Sequence, residues 1–503
     1  MRVRVGNREG FMSAIPSSAA DKLFKPVFRE INAPRLAWPS SKFARKRVHF
    51  VGIGGSGMSG LAQMMLDCGA LVTGSDAKHN PQIGLLHKRG VRISTAQRGE
   101  LLSGTIDLVV RSAAVPDSHP EMLAAAAMGL PTMKYAQMLG EVMRERLGIA
   151  VAGTHGKSTT TAMAAFALVE CGLDPSFVVG GTVPQINNSG SRSGGGDAFV
   201  AEACEYDRSF HNLAPTVAMI TNIEEDHLDC YKNIDEIVES FRTFAALVPA
   251  EGVLIANGRD PNVDKVIAAA SCRVQRVAVV GPDESPASTW STRSKGIVNG
   301  CHHGDVHFDG RLIATLRMSV PGLHNLFNAT MALAAAVAAG AFPQEAADAI
   351  GRFTGVDRRQ TEVGTFNGAR VVDDYGHHPT EIRITLAALR ERYAPKRLIC
   401  VFQPHQHSRT RHLLGDFATS FAAADETVMP DIFFVRDSED EKHLVCTEDL
   451  VARITAEGHA AVHIPSFDAI VEHLRAEARD GDLIVTMGAG NVNEIGKALV
   501  RGI

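Results

Sequence analysis

Three times along the chain, a short apolar run breaks into a turn rich in Gly, His or acidic residues and is followed by a helical pattern. That alternation is the signature of parallel α/β sheets. The first instance is Val48 to Val51, which leads into Gly52-Ile53-Gly54-Gly55-Ser56-Gly57, a helix through Met65 and a second strand ending at Asp76. The second is Gly148 to Ala152, turning at Gly153 to Ser158 and continuing as an Ala-rich helix to about Leu173. The third is Ala369 to Val372, running into Asp373-Asp374-Tyr375, with further strands at Arg397 to Phe402 and at Leu483 to Met487. Residues 281 to 312, rich in Gly, Ser, His and Asp, predict irregular antiparallel structure. The blocks divide the chain at 1–46, 47–146, 147–354 and 355–503, so an α/β protein of three domains behind a short extension is expected.

Length agrees, because 503 residues exceed what one core supports. Charge adds an asymmetry. Residues 1 to 47 hold 11 Lys/Arg against 3 Asp/Glu, leaving 40 against 53 for the remainder. The basic excess sits in a Pro- and Ser-containing extension expected to be disordered, while the body is mildly acidic, so no nucleic-acid partner is expected. The longest uncharged stretch, Asn325 to Gln344, contains Asn, Thr, Pro and Gln and suits a buried helix, so no membrane span is expected. Eight scattered Cys without CxxC spacing suggest reduced thiols and a cytoplasmic location.

The candidate chemistry lies at the strand ends. Gly153, Thr154, His155, Gly156, Lys157, Ser158 and Thr159 form a shortened phosphate loop. Its N–H groups and helix N-terminus face a phosphate chain, Lys157 is placed to neutralise charge, and Ser158 or Thr159 can offer a hydroxyl to Mg²⁺. Two acidic strand ends supply metal-ligand candidates, Glu202 in Ala201-Glu202-Ala203-Cys204-Glu205 and His227 in Glu224-Glu225-Asp226-His227-Leu228-Asp229. The Gly52-x-Gly54-x-x-Gly57 turn with Asp76 about 20 residues on fits a dinucleotide fingerprint, yet the same turn cradles any diphosphate. His377, His378, His405 and His407 lack a thiolate for a zinc site, and Arg409 and Arg411 suit a carboxylate or phosphate better.

Taken in order, HFVGIGGSGMSGLA, GTHGKSTTT, EACEYDRSF, TNIEEDHLD, PGLHNLFNA, DDYGHHPTEI and FQPHQHSRTR resemble the Mur ligases from about residue 47 to the C-terminus, in particular the branch that adds L-alanine. The resemblance implies a Rossmann-like N-terminal domain for a UDP-sugar, a central P-loop ATPase domain and a Rossmann-like C-terminal domain for the amino acid. It implies ATP and Mg²⁺, with UDP-N-acetylmuramic acid and L-alanine joined through an acyl phosphate in a monomer or weak homodimer. Gly54, Ser56, Gly57, Met58, Asp76 and Ser112 would hold the UDP-sugar. Lys157 and Ser158 would meet the ATP phosphates, His324, Asn325 and Asn328 the adenine, and Arg358 and Asp374 would complete the ATP site. Ser158, Glu202 and His227 would bind metal. Tyr375, His377, His378 and Arg409 would surround L-alanine, with His227, His377 and His378 as alternative bases for its amine.

Three departures stand out. Gln406 replaces an Arg of many relatives, and Cys204 replaces the usual Asp. Asn233 to Leu247 holds no Lys, where sibling ligases for later amino acids carry a carbamylated one, an absence the alanine-adding branch shares. The rival readings are a recycling ligase that attaches a tripeptide to the same sugar nucleotide, an NAD-dependent oxidoreductase and a P-loop switch protein.

Overall fold

The computed structural model describes residues 41–284 and 288–501, with the side chain of Ser56 also left undescribed. The predicted disordered extension therefore lies outside the described residues except for Ser41 to Lys46. Three sheets follow one another along the chain. The first has five parallel strands in the order Arg92–Ser94, Leu71–Ser75, Arg47–Val51, Leu108–Arg111, Thr132–Lys134. Helices carry the crossovers except from Arg92–Ser94 to Leu108–Arg111, which is a loop, and the order reverses at Arg47–Val51, the switch point at which parallel sheets of this kind place ligands.

The second sheet has ten strands. At its centre Val253–Asn257, Val217–Ile220, Leu147–Ala152, Ala198–Glu202 and Ser176–Val183 run parallel. These are near-continuous Val, Ile and Ala runs, as burial on both faces requires. Two Ala-rich helices, Lys157–Glu170 and Leu323–Ala338, pack together on one face, and their small side chains permit close approach. The uncharged stretch is thus a buried helix, and among the described residues no helix is long and apolar enough to cross a membrane. The other face buries Phe210, Phe241 and Phe244, with Phe210 and Phe244 stacked 4.9 Å apart. The segment expected to form irregular antiparallel structure is an antiparallel meander whose register shifts between Ser294 and Ile297 and again between Val306 and His307. Trp290–Val298, Cys301–Phe308 and Arg311–Arg317 pair antiparallel, because alternate residues such as Val306 and Phe308 pack inward beneath polar neighbours.

The third sheet has six strands, Thr361–Phe366, Ala369–Asp374, Asp482–Met487, Arg397–Phe402, Glu426–Met429 and Ala461–His463, parallel except for the first pair. The sheets meet at specific places. Helix Ser56–Asp67 of the first packs through Gly60 directly on Ser191 of the second, and the strand ends of the second face those of the third.

Candidate active site

The phosphate loop is held from below. Residue 156 has φ +80°, and a Cβ there would lie 2.8 Å from the Asn328 Oδ1, so glycine is required on both counts. The Asn222 side chain accepts the His155 N–H at 2.8 Å, and the Thr154 hydroxyl accepts the Glu224 N–H at 2.9 Å. Thr154 therefore pins the loop to the neighbouring strand end.

Lys157 points along the loop, donating to the carbonyls of Gly153 (2.6 Å) and Thr154 (3.0 Å) and to Glu205 (2.9 Å). Burial alone would lower its pKa, but Glu205 and then the more distant Glu202 raise it, so the ammonium stays charged. Glu205, absent from the sequence-derived site, is the carboxylate between Lys157 and His227, whose Nε2 lies 3.7 Å from it. Its other oxygen is buried without a hydrogen-bond partner. Glu202 accepts the Gly180 N–H at 2.8 Å. His227 sits in the left-handed region at φ +54°, strain of a kind concentrated at functional sites. By donor chemistry Glu202, His227, the orphaned oxygen of Glu205 and the Ser158 hydroxyl suit a hard cation, although among the described residues the ligand atoms of Glu202, Glu205 and His227 do not converge within 4.8 Å of one another.

Ser158 and Thr159 line a cavity of about 520 Å³ that runs to His324, Asn325 and Asn328 and is bordered by Val356, Asp357, Arg359 to Glu362, Asp374 and Glu381. Central and third domains thus share its walls, and the volume suits a nucleotide. Burial lowers His324 to about 4 and raises the Asp374 carboxyl to about 6. Asp374 also accepts the N–H groups of Gly376 (2.7 Å) and Gln360 (2.9 Å), which shapes the Tyr375 loop. Arg358 corrects an expectation. Its own left-handed backbone turns the side chain to Asp373 (3.0 Å) and to the carbonyls of Gly488 and Gly490, leaving Arg359 to line the cavity. Both guanidiniums lie over the Tyr375 ring, 5.0 and 5.3 Å from its centroid.

Across the domain boundary, Arg409 donates through Nε (3.0 Å) and Nη2 (2.9 Å) to Asp226 Oδ1. It is therefore committed to a buried pair rather than standing free for a carboxylate. His378 meets the Glu225 carbonyl at 3.0 Å, and Thr380 donates to Glu224 at 2.6 Å. Burial first, opposed by Glu381 and assisted by Arg409, pushes His377 down to about 3, and burial followed by His155 lowers His378. Both imidazoles are neutral near pH 7.

His155, Glu224 and His378 bring ligand atoms within 4.8 Å of one another. Burial works against protonation of His155, but bonding to Glu224 and Glu381 raises it to about 9, so with no metal bound the cluster is held together as an ion pair. Below the ordinary value of 6.5 the His155 contribution to stability is complete, and it is lost as pH rises through about 9. Glu224, lowered to about 2 by the same bond despite burial, contributes fully above 4.5 and less as pH falls toward 2. The melting-temperature advantage of the wild type over His155→Gln is therefore expected to shrink as pH passes 9, and an advantage unchanged to pH 10 would contradict the pairing.

In the first domain, a Cβ on Gly57 would lie 2.7 Å from the Tyr135 hydroxyl, so that residue, which sequence reasoning missed, packs on the turn. Asp76 is spent on the turn itself, accepting the Gly54 N–H at 2.8 Å, while Ser112 backs Gly52. Met58 is buried at 4% exposure among Leu61 and Ala62, so its side chain supports the turn from inside and cannot reach a ligand. Ser56 is placed by its backbone at the helix start, and its side chain lies outside the described residues.

Family models match three stretches in order: the Mur ligase family catalytic domain at residues 47–147, the Mur ligase middle domain at 151–336 and the Mur ligase glutamate ligase domain at 358–490. A UDP-N-acetylmuramate–L-alanine ligase of Caldanaerobacter subterraneus subsp. tengcongensis is 41% identical over 91% of this chain and 97% of its own. One from Acetivibrio thermocellus is 38% identical over 91% and 96%. Among solved structures, the UDP-N-acetylmuramate–alanine ligase of Thermotoga maritima superposes with TM-score 0.72 at 24% identity, over 91% of this chain and 98% of that one, a likeness of fold. A murein peptide ligase of Psychrobacter arcticus gives 0.66 at 28% identity over the same shares.

Proposed function

The chain belongs to the Mur ligase family, and we propose that it adds L-alanine to the lactyl carboxylate of UDP-N-acetylmuramic acid at the cost of ATP. The products are UDP-N-acetylmuramoyl-L-alanine, a peptidoglycan precursor, with ADP and phosphate. One observation carries the reading: the nucleotide-sized cavity has the phosphate loop on one wall and Asp374 and Glu381 of the third domain on the other. Phosphates bound at the loop would thus face the third domain directly across the cavity.

In this reading the first turn, with Gly54, Gly57 and Ser112, holds the UDP diphosphate and presents the lactyl carboxylate to the phosphate loop. A carboxylate oxygen attacks the γ-phosphorus and ADP leaves, with Lys157 exchanging its loop carbonyls and Glu205 for phosphate oxygens. Ser158, Glu202, His227 and Glu205 would hold Mg²⁺, which when bound neutralises charge on the phosphates. The amine of L-alanine then attacks the acyl carbonyl, the C–O bond to phosphate breaks, and the ammonium proton has gone to a base. His227, His377 and His378 are the alternative bases for it, and the burial that lowers His377 and His378 makes the last two the weaker acceptors. Closure of the third domain keeps water from the acyl phosphate. Placement in the cytoplasm and a monomeric or weakly dimeric state belong to the same proposal.

The test is an acceptor panel with purified protein, ATP, Mg²⁺ and UDP-N-acetylmuramic acid. Phosphate release is expected with L-alanine and not with L-alanyl-D-glutamyl-diaminopimelate. The reverse preference would assign the tripeptide-attaching reaction, and indifference to the sugar nucleotide would remove the ligase reading altogether.

A further inference from the structure

One carboxylate touches every moving part of the site. Glu381 sits in the first turn of helix Pro379–Tyr393 and is 8% exposed. Its Oε1 lies 3.3 Å from Nδ1 of His155 in the phosphate loop and 3.6 Å from Arg359 at the entry to the third domain. Its Oε2 accepts the His377 N–H at 3.0 Å, and the residue also lines the nucleotide cavity. The opposite nitrogen of His155 is 3.5 Å from Glu224, which accepts the Thr380 hydroxyl. Central and third domains are therefore fastened reciprocally, His155 to Glu381 and Glu224 to Thr380, immediately beside the phosphates.

Resting on the ligase reading above, we propose that Glu381 is a positioning residue that couples closure of the third domain to alignment of His155 at the nucleotide phosphates and of His377 at the incoming amine. The physical reason is that a buried carboxylate is stable only with its partners in place. With the domains apart, Glu381 loses His155, and His155 loses one of the two carboxylates that orient its ring. The loop geometry needed for phosphoryl transfer and the geometry needed for amine attack then share one switch, so neither step is prepared until the cavity is closed. The sequence displays Glu381 only as the eighth residue after Asp373, with nothing to say that its partners lie in another domain.

The test is a double-mutant cycle on the full chain with Glu381→Gln, His155→Gln and both together, each assayed at a temperature at which its far-UV circular dichroism matches the wild type. Glu381→Gln is expected to lower kcat roughly 10- to 100-fold, with KM for the sugar nucleotide within about twofold because the first domain does not touch this residue. The double variant is expected within about threefold of the worse single variant, since both remove one link. Multiplying losses, wild-type turnover of Glu381→Gln, or a loss of kcat in Glu381→Gln that disappears on lowering the assay temperature would each overturn the proposal. Should Glu381→Gln fail to fold, Glu381→Asp keeps the charge but withdraws it by one methylene, and wild-type kcat in that variant would overturn it equally. Small-angle scattering separates this proposal from the substrate reading. A non-hydrolysable ATP analogue is expected to compact the wild type and not Glu381→Gln, whatever the acceptor, and equal compaction of both would sink the coupling. A wild type inactive on the sugar nucleotide and L-alanine would instead sink the substrate assignment.

Discussion

Lys157→Ala is expected to lower ligation about 10³-fold, or ~4 kcal/mol of transition-state stabilisation. Its ammonium donates to the phosphate-loop carbonyls of Gly153 and Thr154 at 2.6 and 3.0 Å, and although burial works against the charge, Glu205 beside it raises its pKa above the ordinary value. When phosphates enter, their oxygens replace those carbonyls at no cost in reorganisation of the loop. The loss should appear in kcat, measured as ADP formation at saturating substrates, with the sugar nucleotide still bound by the first domain. A variant within tenfold of wild type would show that Lys157 does not meet the transferred phosphoryl group.

Arg409→Ala is expected to destabilise the contact between central and third domains by about 3–5 kcal/mol, because it strands a buried carboxylate. Arg409 and Asp226 are both 7% exposed. Burial pushes the Asp226 carboxyl up, and Arg409 more than reverses this and holds it well below the usual range, so truncation leaves an unpaired charge. Denaturant unfolding reads the loss, and Asp226→Asn in the same chain should recover part of it because the charge is gone. An unchanged midpoint in Arg409→Ala would mean that the pair is not formed in solution. The same geometry bears on the departure at Gln406, buried at 3% with its Nε2 unpartnered. Arg409 is anchored by Asp226 and the His405 carbonyl, not by its neighbour in the loop.

What was legible in the chain was local. Strand Arg397–Phe402 carries its own apolar run, the phosphate loop its own glycines, and helix Leu323–Ala338 its own uncharged face, so each could be placed from its neighbours in sequence. The length of the meander's strands was harder to read, because His302 and Gly304 stand at buried positions among Cys301, Val306 and Phe308. What was not legible depends on segments far apart in the chain. Glu381 acquires a role only through His155, and Arg358 and Arg359 exchange places because a left-handed residue aims the first at Asp373. Likewise Asp76 fitted a dinucleotide fingerprint by spacing, and only the structure shows its carboxylate accepting the Gly54 N–H within the turn. Glu205 stood in a run of acidic residues that any strand end could carry, and only its position between Lys157 and His227 sets it apart.

The most direct measurement uses UDP-N-acetylmuramic acid labelled with ¹⁸O in the lactyl carboxylate, incubated with the protein, ATP, Mg²⁺ and L-alanine. Activation through an acyl phosphate predicts that phosphate forms only when all substrates are present, that ADP is the nucleotide product, and that each released phosphate carries one oxygen from the carboxylate. Phosphate free of the label, or AMP and pyrophosphate in place of ADP, would contradict the account.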